Sequence, residues 1–488
     1  MKSTDTTVIT ERTFLKRDEL ALHRLVSASG LVIELHPNGA IHAITCGEVV
    51  LNQWLAHPLE RGMNRLVLRV IDGAAIRHVP LIGPTSPSRF GTDTRGARWQ
   101  GEWEGLAYDV SLRVHPERPA WFWTLNVRNN GKAARCVDAL CGQDLGLSGA
   151  GALRSNEAYT SHYIDHRVEK DAALGPVILS RQNNAQGTAY PWTMTGCLTG
   201  AGSFATDGFQ FFGLEHKITG VPEACTRAAL PSKKLQYEFA YPALQARPFD
   251  LAPGASRDIE FFTLFDPDHA AASGADDLQR IADVKKFRAA LAAPSATTAA
   301  IAAPTLYQAP LLETSDLTDA EVAEFFGRDH RCVERDGDQL LSFFCGADSH
   351  VVLKEKERRS ERPHGSILRT GRNLLPDDAT MSATGYMFGV FLSQVTVGNT
   401  SFHKLLSVTR NHLNVIRTSG QRIFVRAPDG WRMLGVASAF EMRPGLCRWL
   451  YKTDDELIEV RAAASSHASL LRLDVNVLRG GQRVFVLA

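Results

Sequence analysis

The feature that most constrains this chain is a period of two. Apolar and polar positions alternate in LVIELHPNGAIHAITCGEVVLNQW (31–54), RLVLRVID (65–72), YDVSLRVHP (108–116), AWFWTLNVRNNG (120–131), KLQYEFAYPAL (234–244) and RDIEFFTLFDP (257–267). Successive side chains of an extended strand point to opposite faces, so this alternation marks strands with one face on a core. Pro37-Asn38-Gly39, Asn129-Asn130-Gly131 and Pro253-Gly254 supply turn chemistry at the ends of such runs. Many strands joined by short turns predict one large antiparallel sandwich filling the first half of the chain.

The pattern changes at Asp276. DDLQRIADVKKFRAALAA opens with acids and continues with lysines, which suits the dipole of a helix. PSATTAAIAAPT follows, rich in Ala, Thr and Pro, and residues 292–305 read as a linker. The expected organisation is a sandwich over 1–275, helix plus linker over 276–305, and a second β-rich unit over 306–488. That unit begins with a short helix near TDAEVAEFFGRD and continues in strands such as QLLSFFCGA, SHVVLKEKE and QRIFVRAPDGWRMLGV. SFHKLLSVTRNHLNVIRTSG (401–420) fits a helix or a strand pair equally. The last residues, Val484 to Ala488, form an apolar strand pattern with no polar tail. This predicts an incomplete second unit with an uncovered apolar surface that promotes association; the alternative is a last strand lying inside a sheet.

Formal net charge is +1, from 54 basic and 53 acidic residues, so nucleic acid and anionic membranes are not expected partners. MKSTDTTVITERTFLKRDELALHRL carries charges throughout and lacks the apolar core of a secretory leader. The eight cysteines form no CxxC pair and are expected as buried free thiols of a cytoplasmic protein. Phosphate-cradling glycine motifs and HExxH are missing from the sequence, so neither a cofactor nor a metal is expected.

Residues Asn156 to Asn184, with Tyr190 and Trp192 just after, mix aromatic and polar groups densely. Sugars stack on rings and take hydrogen bonds from Asp, Asn and Arg, so His162, Tyr163, Asp165, Arg181, Tyr190 and Trp192 are the candidate substrate-binding residues. The competing reading is a loop pinned by its own polar bonds. Glu157, Asp165 and Glu169 raise a glycosidase mechanism, but acids beside His and Arg are more often salt-bridged. The run from Lys354 to Arg362 reads as a strand with a solvated or docking face. Trp99, Trp103, Trp121 and Trp123 read as core rather than as a sugar platform.

Several longer segments carry a resemblance: NEAYTSHYIDH (156–166), GPVILSRQNN (175–184), HVVLKEKERRSERPHGSILRTG (350–371), GYMFGVFLSQVTVGNTSFHKLLSVTRNHLN (385–414) and AFEMRPGLCRWLYK (439–452). They resemble the N-terminal region of 1,2-β-oligoglucan phosphorylases, within the cellobiose-phosphorylase-type family of inverting glycoside phosphorylases. The resemblance implies a mainly β fold of super-sandwich, galactose-mutarotase-like architecture. It implies a parent enzyme that phosphorolyses β-1,2-glucooligosaccharides to glucose 1-phosphate, with its catalytic Asp in an (α/α)6 barrel. It further implies a barrel domain or chain and a second copy of the protein as possible partners. Twelve helices need about 200 residues of helical periodicity, and two or three helix candidates do not supply it. No catalytic residue can therefore be carried over, and this chain alone is expected to be inactive. A stand-alone carbohydrate-binding or scaffold protein remains the alternative, and a glycosidase the less favoured third.

Overall fold

The expected β architecture is what the alternating runs build. The computed structural model describes residues 21–301, 306–398, 404–405 and 415–488. Strands take 46% of the described residues and helices 13%, and among them the longest helix is Ala150–His162, of 13 residues. No helix of the described residues is long and apolar enough to cross a membrane.

The first half contains a nine-stranded, a six-stranded and a five-stranded antiparallel sheet. Strand Ala120–Asn129 lies inside the nine-stranded sheet, between Leu106–Val114 and Ser256–Asp266, with Trp121 opposite both Val114 and Thr263. Its alternation decides which side each ring takes. Trp121, Trp123, Leu125 and Val127 join the core between the sheets, together with Trp99 and a half-buried Trp103. Ala120 and Phe122 face the other way and pack under Ile281 and Val284 of helix Ile281–Ala289. All four tryptophans are therefore packing residues.

Strand Arg65–Asp72 of the six-stranded sheet is buried over its first six residues. Leu66, Leu68 and Val70 enter the central core. On the opposite face Val67 joins Phe211, Phe212 and Tyr241 in a second cluster. Arg69 shares that face. It makes a bidentate pair with Asp138 at 2.7 and 2.6 Å, both side chains being fully buried. Its third nitrogen donates to the carbonyls of Ala224 and Arg227.

The second half forms sheets of seven, four and three strands. Phe391, Phe440, Trp449 and Tyr451 fill its core. Helix Asp319–Phe326 starts where TDAEVAEFF predicts it, because Thr318 and Glu321 cap each other's backbone N–H groups. Strand Phe485–Leu487 pairs with Ile423–Ala427 at one side of the three-stranded sheet.

Four local expectations change. KLQYEFAYPAL is strand only from Ala240; Tyr237 before it sits at φ +56° and is exposed. The charged run is not a strand but a short helix, Lys354–Arg359. Glu355 reaches Arg358 at i+3 and Arg359 at i+4, spacings that neighbour each other only on a helix. Part of the stretch read as linker is structured: Ala299–Ala300 pairs with Arg89–Asp93 as an edge strand, while 302–305 lie outside the described residues. The cysteines are free, but only Cys197, Cys225, Cys345 and Cys447 are buried, and Cys332 is exposed. Most of 401–420 falls outside the described residues; Lys404–Leu405 is strand.

Candidate functional site

The polar and aromatic stretch after Asn156 is not one loop. It comprises helix Ala150–His162 and strands Ile164–Asp171, Gly175–Gln182 and Trp192–Cys197. The helix is broken at Asn156 (φ −162°, ψ 87°), whose side-chain oxygen accepts the N–H of Tyr159 and restarts the turn.

The candidate residues separate into three places. Trp192 is fully buried; it stacks on His269 with ring centres 4.8 Å apart and donates to Ser273 Oγ. It is a packing residue and cannot meet a sugar. Arg181 and Tyr190 form a second place, the guanidinium lying 4.1 Å from the ring centre. Arg181 donates to the carbonyls of His269 and Ala270 and to Asn183, so its donors are used in pinning the chain. His162 and Tyr163 make a third, exposed place. Tyr163 donates to the Tyr159 hydroxyl at 2.9 Å, and His162 meets Tyr237 edge-on with ring centres 6.0 Å apart. Burial and the nearby Arg362 hold His162 below the usual histidine range. Asp165, close by, pairs with Lys234 at 2.8 Å, and Glu169 pairs with Arg167 at 2.7 Å. Asp165 and Glu169, two of the acids that suggested a glycosidase, are thus salt-bridged. His166 is buried, donor or acceptor to Ser180 at 2.8 Å, and pushed down to about 3 by burial.

A feature invisible in the sequence lies between the two β units. A cavity of about 240 Å³ is walled by Arg61, Arg65 and His78 from the first, the turn around Gly220, and Tyr307, Gln308 and Arg417 from the second. Glu60 is its carboxylate and accepts the Thr418 N–H at 2.7 Å. Burial raises Glu60 to about 7, against the pull of that bond and of Arg422 and Arg417. Burial and the fields of Arg65 and Arg417 lower Arg61 to about 9. Arg417 donates to the carbonyls of Tyr307 and Ala309. A Cβ on Gly220, at φ +71°, would stand 2.7 Å from the Arg417 guanidinium, so this glycine leaves the arginine its place. Among the described residues no cluster of His, Cys, Asp and Glu has the arrangement of a metal site.

Two stretches of the chain match known domains, in order. Residues 34–263 match the SOGP N-terminal domain and residues 328–488 the glycoside phosphorylase supersandwich domain. The chain thus carries two domains of glycoside phosphorylases and is 1,2-β-oligoglucan phosphorylase-like. Its particular likeness is to a 1,2-beta-oligoglucan phosphorylase of Listeria innocua serovar 6a, with 31% identity over 462 residues. That match covers 95% of this chain and 41% of the relative, so the chain spans well under half of the relative's length. Among solved structures, a polysaccharide lyase is 9% identical with a TM-score of 0.32, over 94% of this chain and 48% of that one. A putative aldose 1-epimerase from Escherichia coli K12 is 10% identical with a TM-score of 0.29, over 50% of this chain and 99% of that one.

Proposed function

We propose that this chain is the non-catalytic, carbohydrate-associated front portion of a glycoside phosphorylase acting on β-1,2-glucooligosaccharides. The observation that carries the reading is the match to both front domains, in order, at 31% identity to a 1,2-beta-oligoglucan phosphorylase of which only 41% is covered. In this reading the chemistry belongs to a helical barrel that partners these sandwiches, and a second copy of the protein is a further partner. The salt-bridging of Asp165 by Lys234 and of Glu169 by Arg167 supports the absence of a glycosidase role. The purified chain, given β-1,2-glucooligosaccharide and inorganic phosphate, is expected to release no glucose 1-phosphate above a no-protein control. Release by the chain alone would overturn the reading.

One observation favours a second reading, a stand-alone carbohydrate-binding module. Tyr159, Tyr163 and Tyr237 expose 52%, 39% and 78% of their surface around His162, which is the ring-rich surface that sugar faces stack on. Calorimetric titration with β-1,2-glucooligosaccharide separates the two. Binding that weakens about tenfold in both Tyr163→Ala and Tyr237→Ala favours the module. Enthalpy indistinguishable from dilution favours the front portion of an enzyme.

A further inference from the structure

We infer that the cavity between the two β units is a binding site for a phosphate-type oxyanion, either inorganic phosphate or the phosphate head of a sugar phosphate. The inference is independent of the exposed tyrosine surface and of any phosphorolysis, and it rests on three observations.

The first is charge. Arg61, Arg65 and Arg417 line the cavity, and Glu60 is the carboxylate among the lining residues. With three guanidiniums against one carboxylate, the wall carries a formal excess of two positive charges even with Glu60 ionised. Arg61 lies close enough to Arg65 and to Arg417 to be repelled by each. Groups of like charge gathered in a low-dielectric recess are costly unless something of opposite charge joins them.

The second is an unused donor. Arg65 is 4% exposed. It donates to the carbonyls of Gly62 and Asn64, and its face lies 5.5 Å from the Phe212 ring centre. Its Nε is buried and has no hydrogen-bond partner. Buried polar atoms are almost always paired, so an unpartnered N–H on a cationic side chain that lines a cavity calls for an acceptor. The guanidinium fork matches the oxygens of a tetrahedral oxyanion better than any other side chain does.

The third is construction. Arg61 and Arg65 come from the first β unit and Arg417 from the second. Gly220 leaves room for the Arg417 guanidinium, as described above. The volume of about 240 Å³ exceeds the roughly 30 Å³ share of a single water, so a small anion is accommodated. Because its ligands come from both units, a bound oxyanion would tie them together.

The test uses the full chain, with inorganic phosphate, glucose 1-phosphate and β-1,2-glucooligosaccharide titrated separately. The thermal midpoint is read at constant ionic strength held with sodium chloride, and affinity is read by calorimetry. Saturable stabilisation by inorganic phosphate, weakened at least tenfold in both Arg61→Gln and Arg417→Gln, is the expected result. Arg61 and Arg417 are only partly buried, so these two variants keep the fold better than a change at Arg65. Arg24→Gln, a surface change, should bind as the unaltered chain does. Glucose 1-phosphate binding tenfold more tightly than phosphate would assign the sugar phosphate as occupant; equal or weaker binding would assign inorganic phosphate. Stabilisation no greater than that of chloride, or phosphate binding that survives in both arginine variants, would overturn the site.

Discussion

Arg69 and Asp138 show what one residue pair can hold. Both are fully buried and doubly hydrogen-bonded to each other. Removing one member leaves the other charged in a dry interior, which typically costs about 3–5 kcal/mol. Arg69→Met should therefore lower the unfolding free energy by about that much in urea titration, whereas Arg69→Met with Asp138→Leu should recover most of the loss. Glu60 supplies a pH test. Its folded pKa, about 7, stands above the ordinary carboxyl value of 4.5 because of burial. The folded state thus retains the proton longer than the unfolded chain. The contribution is complete below pH 4.5 and is lost as pH rises through 7. Glu60→Gln keeps the neutral form, so its thermal midpoint should match the unaltered protein at pH 5 and exceed it at pH 8. A constant difference between the two proteins across that range would contradict the assignment. At this scale the sequence was partly legible. The tryptophans at 121 and 123 declared themselves as core through their spacing. Trp192 did not, because the partner that buries it, His269, comes from a distant segment.

At the scale of elements, period two carried most of the information. It located the long strands, since each has one or both faces on a core. It failed where charge decided. The run from Lys354 to Arg359 lacks apolar alternation, and its helix rests on pairs three and four residues apart plus a buried Glu357 that accepts the His364 N–H. Composition misled again at residues 295–300. Low complexity suggested a free linker, yet Ser295 binds Asp93 and Ala299 pairs with Phe90. The cause is Gly91: a Cβ there would stand 2.2 Å from the Thr297 carbonyl oxygen. Gly91→Val should expel this segment from the sheet edge. Amide exchange of residues 297–300 should then speed up at least tenfold, while that of Ala120–Asn129 stays unchanged. Equal protection in the variant would show that the close approach is not needed.

For the whole molecule, the fold class and the family resemblance were readable because both are written in local segments. The junction was not. Glu60 and its partner Thr418 are separated by 358 positions, and no periodicity links them. The same holds for Arg61, Arg65 and Arg417, which meet only when the two units pack. Those units share buried polar contacts, so they are expected to unfold together in one calorimetric transition; two resolved transitions would show the junction to be weak. Lys217, 2% exposed, is the clearest of these contacts: its ammonium donates to the main-chain carbonyls of Glu357 and Ser360. It reads the course of the backbone and one side chain, the buried Glu357 carboxylate 3.8 Å away. Relatives of this protein are therefore free to diverge at Ser360 so long as the chain keeps its path there. A change at position 217 is another matter, because it would strand the Glu357 carboxylate in a dry interior and leave two carbonyls without their donor, so the two positions can only drift together.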